Sequence, residues 1–220
     1  MNALAPLSWL YGAGVALERG RRSVPGLGDA DRPRVVSIGN LEAGGNGKTP
    51  LAMWWLARAL ATGGRAACVS RGYGGAMLPG VVTCVLPGDV AAADASGLRV
   101  LARSHPDLAA MVGDEGALVA ERVPGAIALF CADKRRAVHA AVRMGADLVV
   151  LDDGFQSWGV ARHTDVVLLD ADAPLDGGHL LPAGRLREKP DALRRADVVV
   201  FNGADTRAAL DAARDRVAHW

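Results

Sequence analysis

Apolar residues in this chain fall into short β-branched runs, separated by stretches with helical spacing and closed by Gly, Pro or acidic turns. The runs predict strands over 34–38, 65–70, 81–86, 126–131, 147–151, 165–170 and 197–201. Periodicity near 3.6 predicts helices from Pro50 to about Thr62, and over 97–104, 115–123, 134–144 and 206–217. Pro50 suits an early helical position because its missing N–H has no intrahelical partner there, and Gly63-Gly64 ends that helix. Strands alternating with helices at this spacing predict an α/β fold, a mostly parallel sheet with helices on both faces.

A different pattern opens the chain. Leu4, Leu7, Leu10, Tyr11, Gly14, Val15 and Leu17 repeat at roughly helical intervals, with Trp9 beside them and Glu18, Arg19, Arg21 and Arg22 following. A secretory signal places its positive charge before the apolar stretch, and here it comes after. Two readings fit equally: an amphipathic helix on an anionic membrane surface, or one packed on the domain. The division expected is an N-terminal helix over 1–22, a Pro- and Gly-rich linker over 23–33 and one domain over 34–220.

The run Val35–Ile38 feeds Gly44-Gly45-Asn46-Gly47-Lys48-Thr49 and then a helix. Strand, glycine turn and helix in this order predict a phosphate-binding loop, with a structural Gly-rich turn as the plainer alternative. Backbone N–H groups of Gly44, Gly45, Asn46 and Gly47 converge on phosphate oxygens, Lys48 reaches the β- and γ-phosphates, and the Thr49 hydroxyl binds Mg2+. The following helix adds its positive N-terminal end. The general pattern wants glycine where this chain has Glu42. A carboxylate turned toward triphosphate would be repelled, so Glu42 is expected to face away.

Four further motifs follow strands or sit in loops able to reach the same sheet edge, where open α/β folds bind ligands. Asp152 and Asp153 end an apolar run; beside a phosphate loop they suit Mg2+, although a turn cap is the plainer alternative. Asp114 and Glu115 follow Gly113, either as a helix N-terminus or as a base for a hydroxyl nucleophile with a second metal contact. Arg71 and Tyr73 lie in a Gly-rich loop, and Arg185 and Arg187 in another; both loops suit an anionic substrate or a plain turn.

Composition narrows the class. A formal net charge of +1 argues against a nucleic-acid binder. Cys68, Cys84 and Cys131 are far apart with no C-x-x-C pair, which argues against zinc or a disulfide framework and fits a reducing cytosol. No stretch reaches the length of a bilayer span.

Taken in order, Pro6–Tyr11, Gly39-Asn40-Leu41, the phosphate loop, Ser70–Gly74, Gly113–Glu115, Asp152–Gln156 and Leu181–Glu188 resemble the tetraacyldisaccharide 4′-kinase family of lipid A biosynthesis. The resemblance implies a P-loop NTPase-like fold and ATP with Mg2+ as cofactors. The substrate would be a lipid A disaccharide precursor, phosphorylated at its 4′-hydroxyl on the cytosolic face of the bacterial inner membrane. It assigns Asp114 as base, Lys48 to the phosphates, and Thr49, Glu115, Asp152 and Asp153 to the metal. No obligate protein partner is implied. The family lacks the first glycine of the loop, usually having a small hydroxyl residue there, so Glu42 departs even from it. It often has His where this chain has Ser157, and it adds a C-terminal portion with a His that supports the catalytic Asp; this chain stops at Trp220. Alternatives are a catalytically impaired nucleotide-binding membrane protein, or a P-loop kinase or GTPase acting on a soluble substrate.

Overall fold

Two successive residues of one strand face opposite ways, and this alternation builds the molecule. Strand β1 (Arg34–Asn40) sends Val35 to one face and Val36 and Ile38 to the other. The computed structural model describes residues 4–22, 33–45, 47–87 and 97–220. The strands β2 (Ala66–Ser70), β3 (Thr83–Val85), β4 (Arg99–Leu101), β5 (Ile127–Phe130), β6 (Leu148–Asp152), β7 (Thr164–Asp170) and β8 (Val198–Asn202) complete one sheet in the order β4-β3-β5-β2-β6-β1-β7-β8. All neighbours are parallel except β3 with β5.

Helices cover both faces. Helix α2 (Lys48–Ala61) and helix α4 (Asp114–Arg122) bury Ala52, Leu56, Val119 and Val123 against Val36, Ile38, Cys68 and Val150. Helix α5 (Lys134–Arg143) buries Ala137, Ala140 and Ala141 on the other face, against Val35, Ala67, Val69 and Val149. Ala-rich helix faces let the helices sit close to a sheet made of Val and Leu. Helix α3 (Leu108–Val112) and helix α6 (Arg207–Val217) complete the set after helix α1 (Ala5–Arg22). All three cysteines are free and buried.

One expectation is corrected. The helix foreseen over 97–104 is instead strand β4, paired in parallel with β3. Leu101 is buried and Val100 exposed, a period of two at the sheet edge that outweighs the helical propensity of the Ala-rich surroundings. The start of that region, 88–96, lies outside the described residues, as does most of the linker read over 23–33.

Helix α1 packs on the domain along one face, as one of the two readings of its sequence expected. Ser8 donates its hydroxyl to the Leu180 carbonyl at 2.9 Å and accepts from the Ala183 N–H at 3.0 Å. A Cβ on Gly12 would lie 2.7 Å from Leu180 Cδ1, so glycine permits close docking. The opposite face leaves Leu7, Leu10, Leu17 and Trp9 exposed, Trp9 at 73%. Among the described residues no helix is long and apolar enough to cross a membrane.

Candidate active site

The parallel strands bring their carboxyl ends to one edge, and the chemistry gathers there. β1 ends at Asn40, whose Nδ2 donates to the Gly44 carbonyl at 3.2 Å and curls the loop back. Gly44 (φ 125°) and Gly47 (φ 80°) take left-handed backbone that other residues avoid. Lys48 and Thr49 open α2 and are buried. Lys48 Nζ donates to the Gly44 carbonyl at 2.8 Å, across the mouth of the loop. Burial pushes the Lys48 ammonium below its ordinary range, partly offset by Asp153. Asn46 lies outside the described residues.

Glu42 does not stand in the loop's interior. It is buried, and its Oε1 accepts from the Leu175 N–H at 2.9 Å. The reason lies in the loop carrying Arg185 and Arg187, which forms a short ladder on the start of the phosphate loop. The Ala43 N–H donates to the Arg185 carbonyl and the Arg187 N–H to the Leu41 carbonyl, each at 2.7 Å, with Glu42 bridged to Leu186 between them. Arg185 donates to the Ala43 carbonyl at 3.0 Å and therefore braces the phosphate loop. The ladder carries Arg187 onto Asp153, with Nη1 2.8 Å from both carboxylate oxygens.

Asp152 and Asp153 differ sharply. Asp152 is buried, and its Oδ2 lies 3.4 Å from Thr49 Oγ1, while its Oδ1 has no hydrogen-bond partner among the described residues. Burial pushes its carboxyl up to about 6, against the opposing pull of Lys134. Asp153 adopts φ 50°, a left-handed conformation rare for a residue with a side chain. Burial would raise its carboxyl as well, but Arg187, Lys48 and Lys134 outweigh it and hold Asp153 below the ordinary carboxylate range. A hydroxyl and a carboxylate with an unpaired inward oxygen suit Mg2+, which takes few protein ligands and completes its shell with water and phosphate oxygens. Among the described residues no group of three or more His, Cys, Asp or Glu forms a dedicated metal cage.

The loop after β2 packs on the start of α4. A Cβ on Gly113 (φ 80°) would lie 2.1 Å from the Tyr73 carbonyl oxygen, so this junction requires glycine. Asp114 and Glu115 occupy the first turn of α4, and Arg71 and Tyr73 stand beside them, Tyr73 at 92% exposure. Together with Lys48, Asp152, Asp153 and Arg187 they line a cleft of about 1520 Å³, whose far wall includes Tyr11 and Val15 of α1. Arg185 is absent from that lining.

Two site residues were not singled out from sequence. Lys134 is 3% exposed and donates Nζ to the carbonyls of Asp152 and Asp153, the latter at 2.7 Å. Burial lowers its ammonium to about 8, opposed by the two aspartates. A lysine at the first position of a helix opposes the helix dipole, and that local mismatch was the available signal. Glu188 is 2% exposed and paired by Arg195 at 2.7 Å, with Arg19 of α1 at 3.8 Å. Gln156 donates to Glu188 at 3.1 Å and to the Asn40 carbonyl at 3.0 Å, which ties these charges to β1.

Comparison with known proteins agrees with this arrangement. The model of the family described as LpxK, tetraacyldisaccharide-1-P 4′-kinase, matches residues 1–219. A tetraacyldisaccharide 4′-kinase of Anaeromyxobacter dehalogenans is 47% identical over 79% of this chain and 42% of its own length. That of Halorhodospira halophila is 41% identical over 92% of this chain and 56% of its own. The chain thus spans about half the length of the curated relatives it matches. A crystal structure described as an "apo" form of LpxK from Aquifex aeolicus in complex with ATP superposes with a TM-score of 0.71 at 27% identity, covering 93% of this chain and 59% of that one.

Proposed function

Because the chain belongs to the tetraacyldisaccharide-1-P 4′-kinase family, we propose that it binds ATP and serves transfer of the γ-phosphoryl group to the 4′-hydroxyl of a tetraacylated glucosamine disaccharide 1-phosphate. The observation that carries this reading is convergence. Phosphate loop, Asp152–Asp153 pair and Asp114 face one cleft, and α1 forms its far wall.

The roles follow from position. Lys48 exchanges the Gly44 carbonyl for phosphate oxygens. Thr49 and Asp152 would hold Mg2+, and Asp153 and Glu115 would add negative charge to the same site. The ion would neutralise charge on the β- and γ-phosphates. Asp114, exposed in the cleft, takes the proton of the sugar hydroxyl as its oxygen attacks the γ-phosphorus, and the bond to the β–γ bridging oxygen breaks to release ADP. Arg71, Arg187 and Tyr73 orient the anionic acceptor, and Arg185 acts on it through the loop it braces. The exposed apolar face of α1 rests on the cytosolic surface of the inner membrane, which presents the acyl chains beside the cleft. Incubating the chain with Mg-ATP and this acceptor is expected to yield labelled product above a Lys48→Ala control; product equal to that control would contradict the reading.

A further inference from the structure

Beyond the phosphates, a nucleotide needs a place for its base, and none of the motifs above provides one. The sheet order limits where it can go. β6 lies on one side of β1 and β7–β8 on the other. The Asp152–Asp153 pair, the acceptor cleft and its lining fall on the β6 side. A triphosphate in the loop with its metal-bound end at Asp152 therefore directs its nucleoside toward β7 and β8.

Asn202 waits on that side. It is the last residue of β8, at the carboxyl edge, and is exposed. Its Cγ, Oδ1 and Nδ2 lie 3.3–3.5 Å from where a Cβ on Gly47 would project. The carboxamide therefore flanks the phosphate loop at Gly47. Its backbone is fixed: the carbonyl accepts from the Ala171 N–H at 2.9 Å, and Asn202 stands in register with Asp170 of β7. The side-chain amide has no hydrogen-bond partner among the described residues, and Gly203 at φ 88° turns the chain away immediately after it.

We infer that the Asn202 carboxamide reads the base of the bound nucleotide and selects adenine. Adenine presents an acceptor, N7, next to a donor, the 6-amino group. A carboxamide offers the complementary donor and acceptor. Guanine presents two acceptors at the same edge, so one carboxamide atom would face a like group. The inference rests on the phosphate-loop reading above and adds the specificity residue to it.

The test compares wild-type chain with Asn202→Leu, which keeps the volume and removes both polar atoms. Affinities for ATP, GTP, 7-deaza-ATP and inorganic tripolyphosphate are measured by calorimetry in magnesium buffer. Wild type is expected to bind ATP more tightly than GTP and 7-deaza-ATP. The variant is expected to lose roughly ten- to a hundredfold in ATP affinity, to bind all three nucleotides alike, and to bind tripolyphosphate as wild type does. A variant that keeps wild-type ATP affinity, or still discriminates against 7-deaza-ATP, overturns the assignment. A wild type that favours GTP overturns the choice of adenine. A wild type that binds tripolyphosphate but gains nothing from the base overturns base reading while leaving the phosphate loop intact, whereas one that binds neither overturns both.

Discussion

One nitrogen of Arg187 lies 2.8 Å from each carboxylate oxygen of Asp153. The Arg187 N–H is also bonded to the Leu41 carbonyl, which fixes the arginine's backbone to the phosphate loop and supports the pair. The Asp153 carboxylate is thereby held ionised and in place beside the phosphate loop.

Arg187→Ala and Asp153→Ala are accordingly expected to couple. In a double-mutant cycle read by chemical denaturation without nucleotide, the coupling should be about 1 kcal/mol, since both side chains are partly exposed. Saturating Mg-ATP should shrink it, because the ion then shares Asp153. A coupling unchanged by Mg-ATP would separate Asp153 from the metal.

Asp152 gives a pH prediction. Its folded carboxyl is raised to about 6 from an ordinary 3.8, so the protonated form is the one the fold favours. The stability this confers is complete below about pH 3.8 and is lost as pH rises through about 6. The shift corresponds to about 3 kcal/mol. In EDTA, Asp152→Asn should therefore gain stability relative to wild type between pH 4 and pH 7, and magnesium with nucleotide should reverse the ranking at pH 7. Parallel thermal melts of the two proteins across this range check it; a constant difference would contradict it.

The fold was largely legible because its signals are local. Val35–Ile38 before glycines, and Val149–Leu151 before two aspartates, each carry strand and turn in a few residues. The strand β4 was missed because its identity is set by pairing with Thr83–Val85, not by its own composition. At the site, Lys48, Thr49, Asp152 and Asp114 were legible as motif residues. Lys134 and Glu188 were not, since each acquires meaning from a strand or loop remote in sequence. Arg187 was read as facing substrate, and only the ladder between residues 41–43 and 185–187 shows its hold on Asp153.

Gly113 should tolerate no side chain. Gly113→Ala adds a Cβ 2.1 Å from the Tyr73 carbonyl oxygen in left-handed backbone. A loss of about 3 kcal/mol or more is expected in urea denaturation. A change under 1 kcal/mol would mean that the junction between the Tyr73 loop and α4 is not held as described.

The exposed face of α1 should bind lipid without supporting the fold. Leu10 and Leu17 are 59% and 58% exposed. Leu10→Glu with Leu17→Glu should abolish sedimentation with anionic vesicles while changing stability by no more than about 0.5 kcal/mol per site. Retained sedimentation would remove the membrane role from this helix.

We propose that one cleft both binds ATP and passes its phosphoryl group to a sugar hydroxyl. The most direct measurement is transfer of labelled γ-phosphate to the tetraacylated disaccharide 1-phosphate, alongside ATP affinity, for wild type and Asp114→Asn. Wild type is expected to transfer phosphate, and the variant to lose transfer almost completely with ATP affinity unchanged. Wild-type turnover in Asp114→Asn would contradict it.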